Sequence, residues 1–245
     1  ICADSWAAVA PRAARAAGAE VLLVLNASPY HVRKQHSRYN VMRERVAENG
    51  VPLIYVNMVG GQDELVFDGA SFALSREGEL MNQLPLFKEA LGIVTIENGD
   101  ARRGEIAPER PLEAEVYDAL CLGVRDYVGK NGFPGVLLGL SGGIDSALTL
   151  AVAVDALGAD KVRAVMMPSQ YTASISREDA RAQAEALKVR YTEIAIKPVF
   201  DAFLDALAQE FEGLPQDTTE ENLQSRIRGT LLMALSNKGG SNVLT

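Results

Sequence analysis

Gly139-Leu140-Ser141-Gly142-Gly143-Ile144-Asp145-Ser146 decides the fold of this chain. The octet joins an apolar run, Gly135–Leu140, that reads as a strand to a second apolar run, Ser146–Leu157, at helical spacing and closed by Gly158. Paired glycines let a backbone turn tightly and bring its N–H groups up to a ligand. The loop runs into a helix N-terminus, where unpaired amides and the helix dipole favour an anion. Ser141 and Ser146 add hydroxyl donors. Asp145 is the odd member: a carboxylate beside a phosphate cradle repels it unless a cation lies between, so it reads as a Mg²⁺ ligand. The Lys of a Walker A loop is missing and the spacing differs. A glycine-rich turn with an ordinary N-cap is the alternative that involves no ligand.

Outward from the octet, strands and helices alternate. Leu112–Lys130 reads as an amphipathic helix stopped near Asn131-Gly132, Val162–Met167 as a strand, and Arg177–Leu187 as a helix opened by a capping box of Ser176 and Asp179. Thr192–Ile196 is the next strand, Pro198–Phe211 a helix with Pro in its first turn, and Thr218 with Glu221 is expected to cap a helix running to Ser236. Upstream, Glu20–Leu25 has the continuous apolar character of a strand buried on both faces. A helix over Lys34–Asn49 ended by Gly50, a strand over Val51–Asn57, and a strand over Ser71–Ser75 entering a turn follow it. Asn98 to Pro111, rich in Gly, Pro and mixed charge, is the expected linker. Strands separated by helices predict an α/β fold with a parallel, doubly wound sheet.

With 245 residues, 48% of them hydrophobic, the chain can bury one large core or two ordinary ones. No apolar run approaches the ~20 residues of a membrane span. A net charge of −8 argues against a duplex-binding surface, but not against a local anion pocket. Cys2 and Cys121 form no disulfide framework or zinc cluster and suit a reducing compartment, hence a cytoplasmic location. The absence of an initiator Met, and an end at Asn242–Thr245 inside an expected strand, read as cuts through a longer protein.

The octet resembles GxSGGxDS, the signature of the PP-loop ATP pyrophosphatases, at every fixed position. That resemblance implies cleavage of ATP between its α and β phosphates, with Gly139, Leu140, Ser141, Gly142, Gly143, Ile144, Asp145 and Ser146 holding the nucleotide and Asp145 the Mg²⁺. Thr219–Gly229 is similar to the ENxQxRxRG segment of NAD synthetases, and Val165–Ser169 resembles theirs too. Asn222 and Arg226, at i and i+4, share one helix face; the resemblance assigns them to nicotinate adenine dinucleotide (deamido-NAD). A solvated charged face is the alternative for that helix. Asn26–Tyr30, Lys34 and Tyr55–Gly69 resemble the C-terminal half of the nitrilase-type glutamine amidase, which in glutamine-dependent NAD synthetases precedes the PP-loop domain.

The resemblance implies an α/β architecture: the C-terminal part of a nitrilase-like αββα sandwich over 1–108, then a Rossmann-like PP-loop domain of the adenine nucleotide alpha hydrolase kind over 109–245. It makes Cys2 the nucleophile that releases ammonia from glutamine, with Ser28 and Lys34 contacting that glutamine. Ala3 and Met58 depart from the family pattern. The family's Glu and Lys partners of the cysteine lie upstream of this chain, so the chain alone is expected to hydrolyse no glutamine. ATP, Mg²⁺, glutamine and deamido-NAD are the expected ligands, in a homo-oligomer with no nucleic-acid or membrane partner. Another PP-loop ligase and a nucleotide-binding remnant without turnover stay open. His31 and His36 read as solvated, Cys121 and Trp6 as packing, and Asp63, Glu64 and Asp68 as structural rather than metal-binding.

Overall fold

Residues 2–245 are described by a computed structural model, the side chain of Cys2 excepted. Contacts divide the chain into two units, Ile1–Asp126 and Tyr127–Thr245.

The first unit begins with a 3₁₀ turn, Cys2–Trp6. It continues through α1 (Val9–Ala16), β1 (Leu22–Asn26), α2 (Lys34–Asn49), β2 (Leu53–Asn57), β3 (Val59–Gln62), β4 (Leu65–Asp68), β5 (Phe72–Leu74), β6 (Leu80–Gln83), β7 (Ile96–Glu97) and β8 (Asp100–Ala101). The 19-residue α3 (Leu112–Lys130) carries the chain into the second unit. Four strands form a sheet in the order β1-β2-β5-β6, with β1 and β2 parallel and the other pairs antiparallel. One sheet face carries Leu22, Val24, Leu53, Tyr55, Phe72 and Leu74, packed on Met42 and Val46 of α2. Gly50 ends α2 in the left-handed conformation, as its sequence predicts.

Three expectations are corrected in this unit. The β1 run is not buried on both faces: Leu23 and Leu25 remain 70% and 58% exposed, because α2 covers only the face that Leu22 and Val24 share. The apolar run reports a face suited to burial, which the described residues leave open. The segment after residue 98 is not a free linker. Asp100–Ala101 pairs with Ile96–Glu97, and the amides of Gln83, Gly104 and Ala107 bond across the β6 edge to Glu105, Met81 and Gln83. Backbone groups beside an open sheet edge find partners there, whatever the Gly and Pro content. The β3–β4 hairpin and α1 have no counterpart in the sequence reading. In the hairpin, Asp63 takes the left-handed turn position usually left to Gly or Asn.

The second unit runs β9 (Val136–Gly139), α4 (Ile144–Leu157), β10 (Val162–Met166), α5 (Ser174–Ala186), β11 (Arg190–Glu193), α6 (Lys197–Leu207), α7 (Thr218–Gly239) and β12 (Asn242–Leu244). All strands are parallel, in the order β11-β10-β9-β12. Leu137 and Val165 meet Ile196, Phe200, Ile227 and Leu232 around α6 and α7. Their strand neighbours Val136, Leu138, Val162 and Ala164, also buried, point by the two-residue period to the opposite face, where α4 lies against β9 and β10. This is the doubly wound α/β sheet that the alternation predicts.

The helix starts differ in detail. Ala173 precedes α5 with no side-chain cap, and Ser176 lies inside the first turn, so the expected Ser176–Asp179 capping box does not form. Before α7 the box is shifted by one residue. Asp217 accepts from Thr219 N–H at 2.7 Å, and Glu220 accepts from Asp217 N–H at 2.9 Å. Asp and Ser/Thr compete for the N-cap, and here the aspartate in an extended conformation wins. The helix over 144–157 starts at Ile144 rather than Ser146, β11 ends at Glu193 rather than Ile196, and α6 stops at Leu207 rather than Phe211.

Candidate functional site

In this sheet the chain moves from β9 to β10 to β11 on one side, then returns to add β12 on the other side of β9. A reversal of strand order leaves a crevice at the carboxyl ends of the strands, the usual ligand position in open α/β sheets. A cavity of about 420 Å³ occurs there, lined by Gly139–Ser141 at the end of β9, Met166 and Met167 at the end of β10, and Leu244 and Thr245 at the end of β12.

The octet shapes one wall. Ser141 N–H donates to Ser146 Oγ (3.2 Å), Gly143 N–H donates to Ser141 Oγ (3.2 Å), and Ser146 Oγ donates to Gly143 O (2.9 Å). The two hydroxyls, 3.0 Å apart, therefore brace the loop as well as being available to a ligand. The first helical bond of this turn is Ala147 N–H to Gly143 O (3.0 Å), so the amides of Ile144, Asp145 and Ser146 have no intrahelical acceptor. Gly142 has φ +83°, and a Cβ there would lie 2.2 Å from the Ser176 carbonyl oxygen. Only glycine allows the loop this close to α5.

Asp145 is exposed in the first turn of α4. Among the described residues no three His, Cys, Asp or Glu side chains gather to hold a metal. The single exposed carboxylate of Asp145 fits Mg²⁺ at a nucleotide site, since the ion usually takes one or two carboxylates and completes its shell with phosphate oxygens and water. Asn222 and Arg226 lie exposed on α7, and the Arg226 guanidinium donates to Asn222 O (3.2 Å). Neither lines the cavity. Arg228, two residues on, does line it, and its Nε donates to Met167 O at 3.1 Å. Burial alone pushes the Arg228 pKa down. The sequence reading passed over this arginine because its ENxQxRxRG spacing does not say which of the two arginines turns inward.

Glu193, at the end of β11, is a second residue that the sequence reading missed. It accepts from Arg181 and Arg177, each at 2.7 Å, and from Tyr191 at 3.1 Å. The Arg181 and Arg177 hydrogen bonds hold its pKa down at about 2. The cluster fastens α5 to the sheet. Its members lie in separate elements, and no local spacing announces them.

In the first unit, Ser28 is buried beneath α2. Its N–H donates to Asn57 Oδ1 (2.9 Å), and its hydroxyl oxygen accepts from Arg38 Nε and Nη2 (3.3 Å each). Arg38, fully buried, also donates to Asp68 at 2.6 Å and to the carbonyls of Ser28 and Pro29. The Ser28 hydroxyl keeps only its proton to offer a ligand. Lys34 is the first residue of α2 and lines a different cavity, of about 190 Å³, beside Tyr30, Gln35 and Glu115. Burial, followed by the charge of Asp68, raises the Glu115 pKa. Ser28 and Lys34 thus do not share a cavity. His31 and His36 are exposed, as expected, although His36 belongs to α2 rather than a loop. Cys121 is buried in α3, and Asp68 is structural through Arg38. The Cys2 side chain, the expected nucleophile, lies outside the described residues. No helix among the described residues is long and apolar enough to cross a membrane.

Comparison with known proteins agrees with these elements. The family model described as NAD synthase matches residues 116–245, and the one described as carbon-nitrogen hydrolase matches residues 1–104. The glutamine-dependent NAD(+) synthetase of Acinetobacter baylyi is 49% identical over 100% of this chain and 46% of its own length; that of Rhodobacter capsulatus is 48% identical over 100% and 45%. A solved structure of glutamine-dependent NAD+ synthetase from Acinetobacter baumannii in complex with ADP superposes with a TM-score of 0.94 at 47% identity, covering 99% of this chain and 46% of that one. The chain thus spans about half the length of the relatives it matches. On the match over 116–245, which includes the octet, the α7 motif and the whole parallel sheet, this chain belongs to the NAD synthase family.

Proposed function

We propose that the chain carries the nucleotide-binding part of a glutamine-dependent NAD synthetase, which amidates deamido-NAD at the expense of ATP. The observation that carries this reading is the octet at the carboxyl ends of a parallel sheet, beside a cavity at the point where the strand order reverses. The A. baumannii protein was solved in complex with ADP, which supports a nucleotide ligand for this chain. The division of labour falls near residue 108, with amidase residues before it and synthetase residues after it.

In this mechanism the free amides of Ile144, Asp145 and Ser146 and the hydroxyls of Ser141 and Ser146 hold the triphosphate. Asp145 would hold Mg²⁺, whose chemistry is neutralisation of charge on the departing pyrophosphate. A carboxylate oxygen of deamido-NAD, oriented by Asn222 and Arg226, attacks the α-phosphorus. The bond to the β-phosphate oxygen breaks, and pyrophosphate leaves. Ammonia then attacks the activated carbonyl carbon, loses a proton, and displaces AMP to leave the amide. Loop amides aimed at the developing phosphate charge are the main electrostatic contribution of the protein. Cys2 supplies ammonia by attacking the glutamine side-chain amide to form a thioester, which water hydrolyses; Ser28 and Lys34 contact that glutamine. The enzyme acts in the cytoplasm as a homo-oligomer on small molecules, without a nucleic-acid or membrane partner.

Calorimetric titration of the full reading frame with ATP·Mg²⁺ and with deamido-NAD tests the reading. Saturable binding of both is expected; binding of neither would overturn it.

A further inference from the structure

We propose that Arg228 binds a phosphate group of the nucleotide in the cavity lined by Gly139–Ser141, as the fixed cation of that site. This rests on the ATP-binding reading above and adds to it a residue outside the octet.

Among the described residues the cavity lining holds one side-chain cation, Arg228, and no side-chain carboxylate. Its other side chains are mainly apolar: Leu140, Val165, Met166, Met167, Leu232 and Leu244. Charge in such a low-dielectric recess interacts strongly with whatever enters it. Arg228 extends from α7 to the end of β10, where Nε donates to Met167 O at 3.1 Å. That bond fixes the plane of the guanidinium and leaves both Nη groups without a hydrogen-bond or ion-pair partner among the described residues. Other arginines of this unit are satisfied differently: Arg177 and Arg181 pair with Glu193. Arg163 also lacks a carboxylate, but it bonds Thr192 and does not line the cavity.

A half-buried guanidinium with no counter-charge is unfavourable until an anion reaches it. The ligand of the octet supplies one at this position, because Gly139–Ser141 and the carbonyl-anchored Arg228 border the same recess. A guanidinium offers two parallel donors that match two oxygens of one phosphate, which an ammonium does not. Arg228 thereby adds a charge that a backbone cradle lacks, and it places the phosphate chain between Gly139–Ser141 and α7.

The test is competition binding to the full reading frame with ATP, tripolyphosphate and adenosine, for wild type, Arg228→Gln and Arg228→Lys. Loss of one charge-assisted pair weakens ATP and tripolyphosphate about tenfold or more in R228Q. R228K, which keeps the charge, recovers part of that loss, and adenosine binds all three proteins alike. Equal ATP affinity in wild type and R228Q would overturn the proposal, as would parallel losses for adenosine and ATP, which mark a merely structural residue. Should R228Q fail to fold, R228K decides the question: wild-type affinity for tripolyphosphate at every salt concentration refutes a bidentate contact. Failure of wild type to bind ATP at all would instead overturn the nucleotide reading itself.

Discussion

Gly142→Ala is the substitution whose consequence the structure fixes most tightly. At φ +83° an L-residue is strained, at about 1–2 kcal/mol. The new methyl would also lie 2.2 Å from the Ser176 carbonyl oxygen and 2.8 Å from that residue's carbonyl carbon and Cα. A carbon and a carbonyl oxygen ordinarily approach no closer than about 3.3 Å, so loop and helix must separate by about 1 Å. Backbone atoms on both sides leave no flexible side chain to yield. A displacement of that size takes the α4 amides off the phosphate. With about two charge-assisted bonds lost, at ~1.5–3 kcal/mol each, ATP affinity falls at least about 100-fold. Gly239→Ala, at the end of α7, is the control: its φ is not in the left-handed region, and a Cβ there would meet nothing within 4 Å. G239A should bind ATP within about threefold of wild type, as substitutions without strain usually cost ~0.5 kcal/mol or less. Calorimetric titration of the three proteins with ATP·Mg²⁺ measures both. Wild-type affinity in G142A, or equal losses in the two variants, would refute the close-approach argument.

Two further perturbations probe the framework. Asp68→Asn leaves the Arg38 charge buried without its 2.6 Å partner; breaking a buried pair costs about 3–5 kcal/mol, which at an m-value of ~2 kcal/mol/M lowers the urea midpoint by roughly 1.5–2.5 M. Fluorescence of Trp6, the one tryptophan of the chain, reports unfolding of that unit, and a shift under about 0.5 M would contradict the role given to the pair. Glu193 has its pKa lowered from 4.5 to about 2, so its ion pairs stabilise the fold fully above pH 4.5, and that contribution is lost as pH falls toward 2. Arg181→Met together with Arg177→Met should remove this part of the acid limb, seen by circular dichroism between pH 6 and 2; an unchanged acid profile would show that Glu193 is held by something else.

The parallel unit was legible because each of its signals is local. An apolar strand, a glycine loop and an amphipathic helix follow one another without interruption, so the octet predicts both its own fold and the sheet around it. The first unit was less legible, since its organising groups are non-local. Arg38 and Asp68 are 30 residues apart in sequence, and nothing in either neighbourhood says that both are buried. The β1 run shows how far composition reaches: Leu23 and Leu25 are apolar enough to be covered, but what covers a face is decided by another element. Arg228 and Glu193 escaped notice for the same reason, as each gains its significance from a different part of the chain, Arg228 from the end of β10 and Glu193 from α5. The α7 cap failed by only one residue, because Asp217 and Thr218 are both competent caps and the local backbone chooses between them.

The central claim, that the octet positions ATP for attack at its α-phosphorus, is tested most directly by the products. With ATP, Mg²⁺, deamido-NAD and ammonia supplied to the full reading frame, ³¹P spectra should show AMP and pyrophosphate forming in step, dependent on deamido-NAD and lost in G142A. Formation of ADP and inorganic phosphate instead, or AMP release that ignores deamido-NAD, would contradict the account.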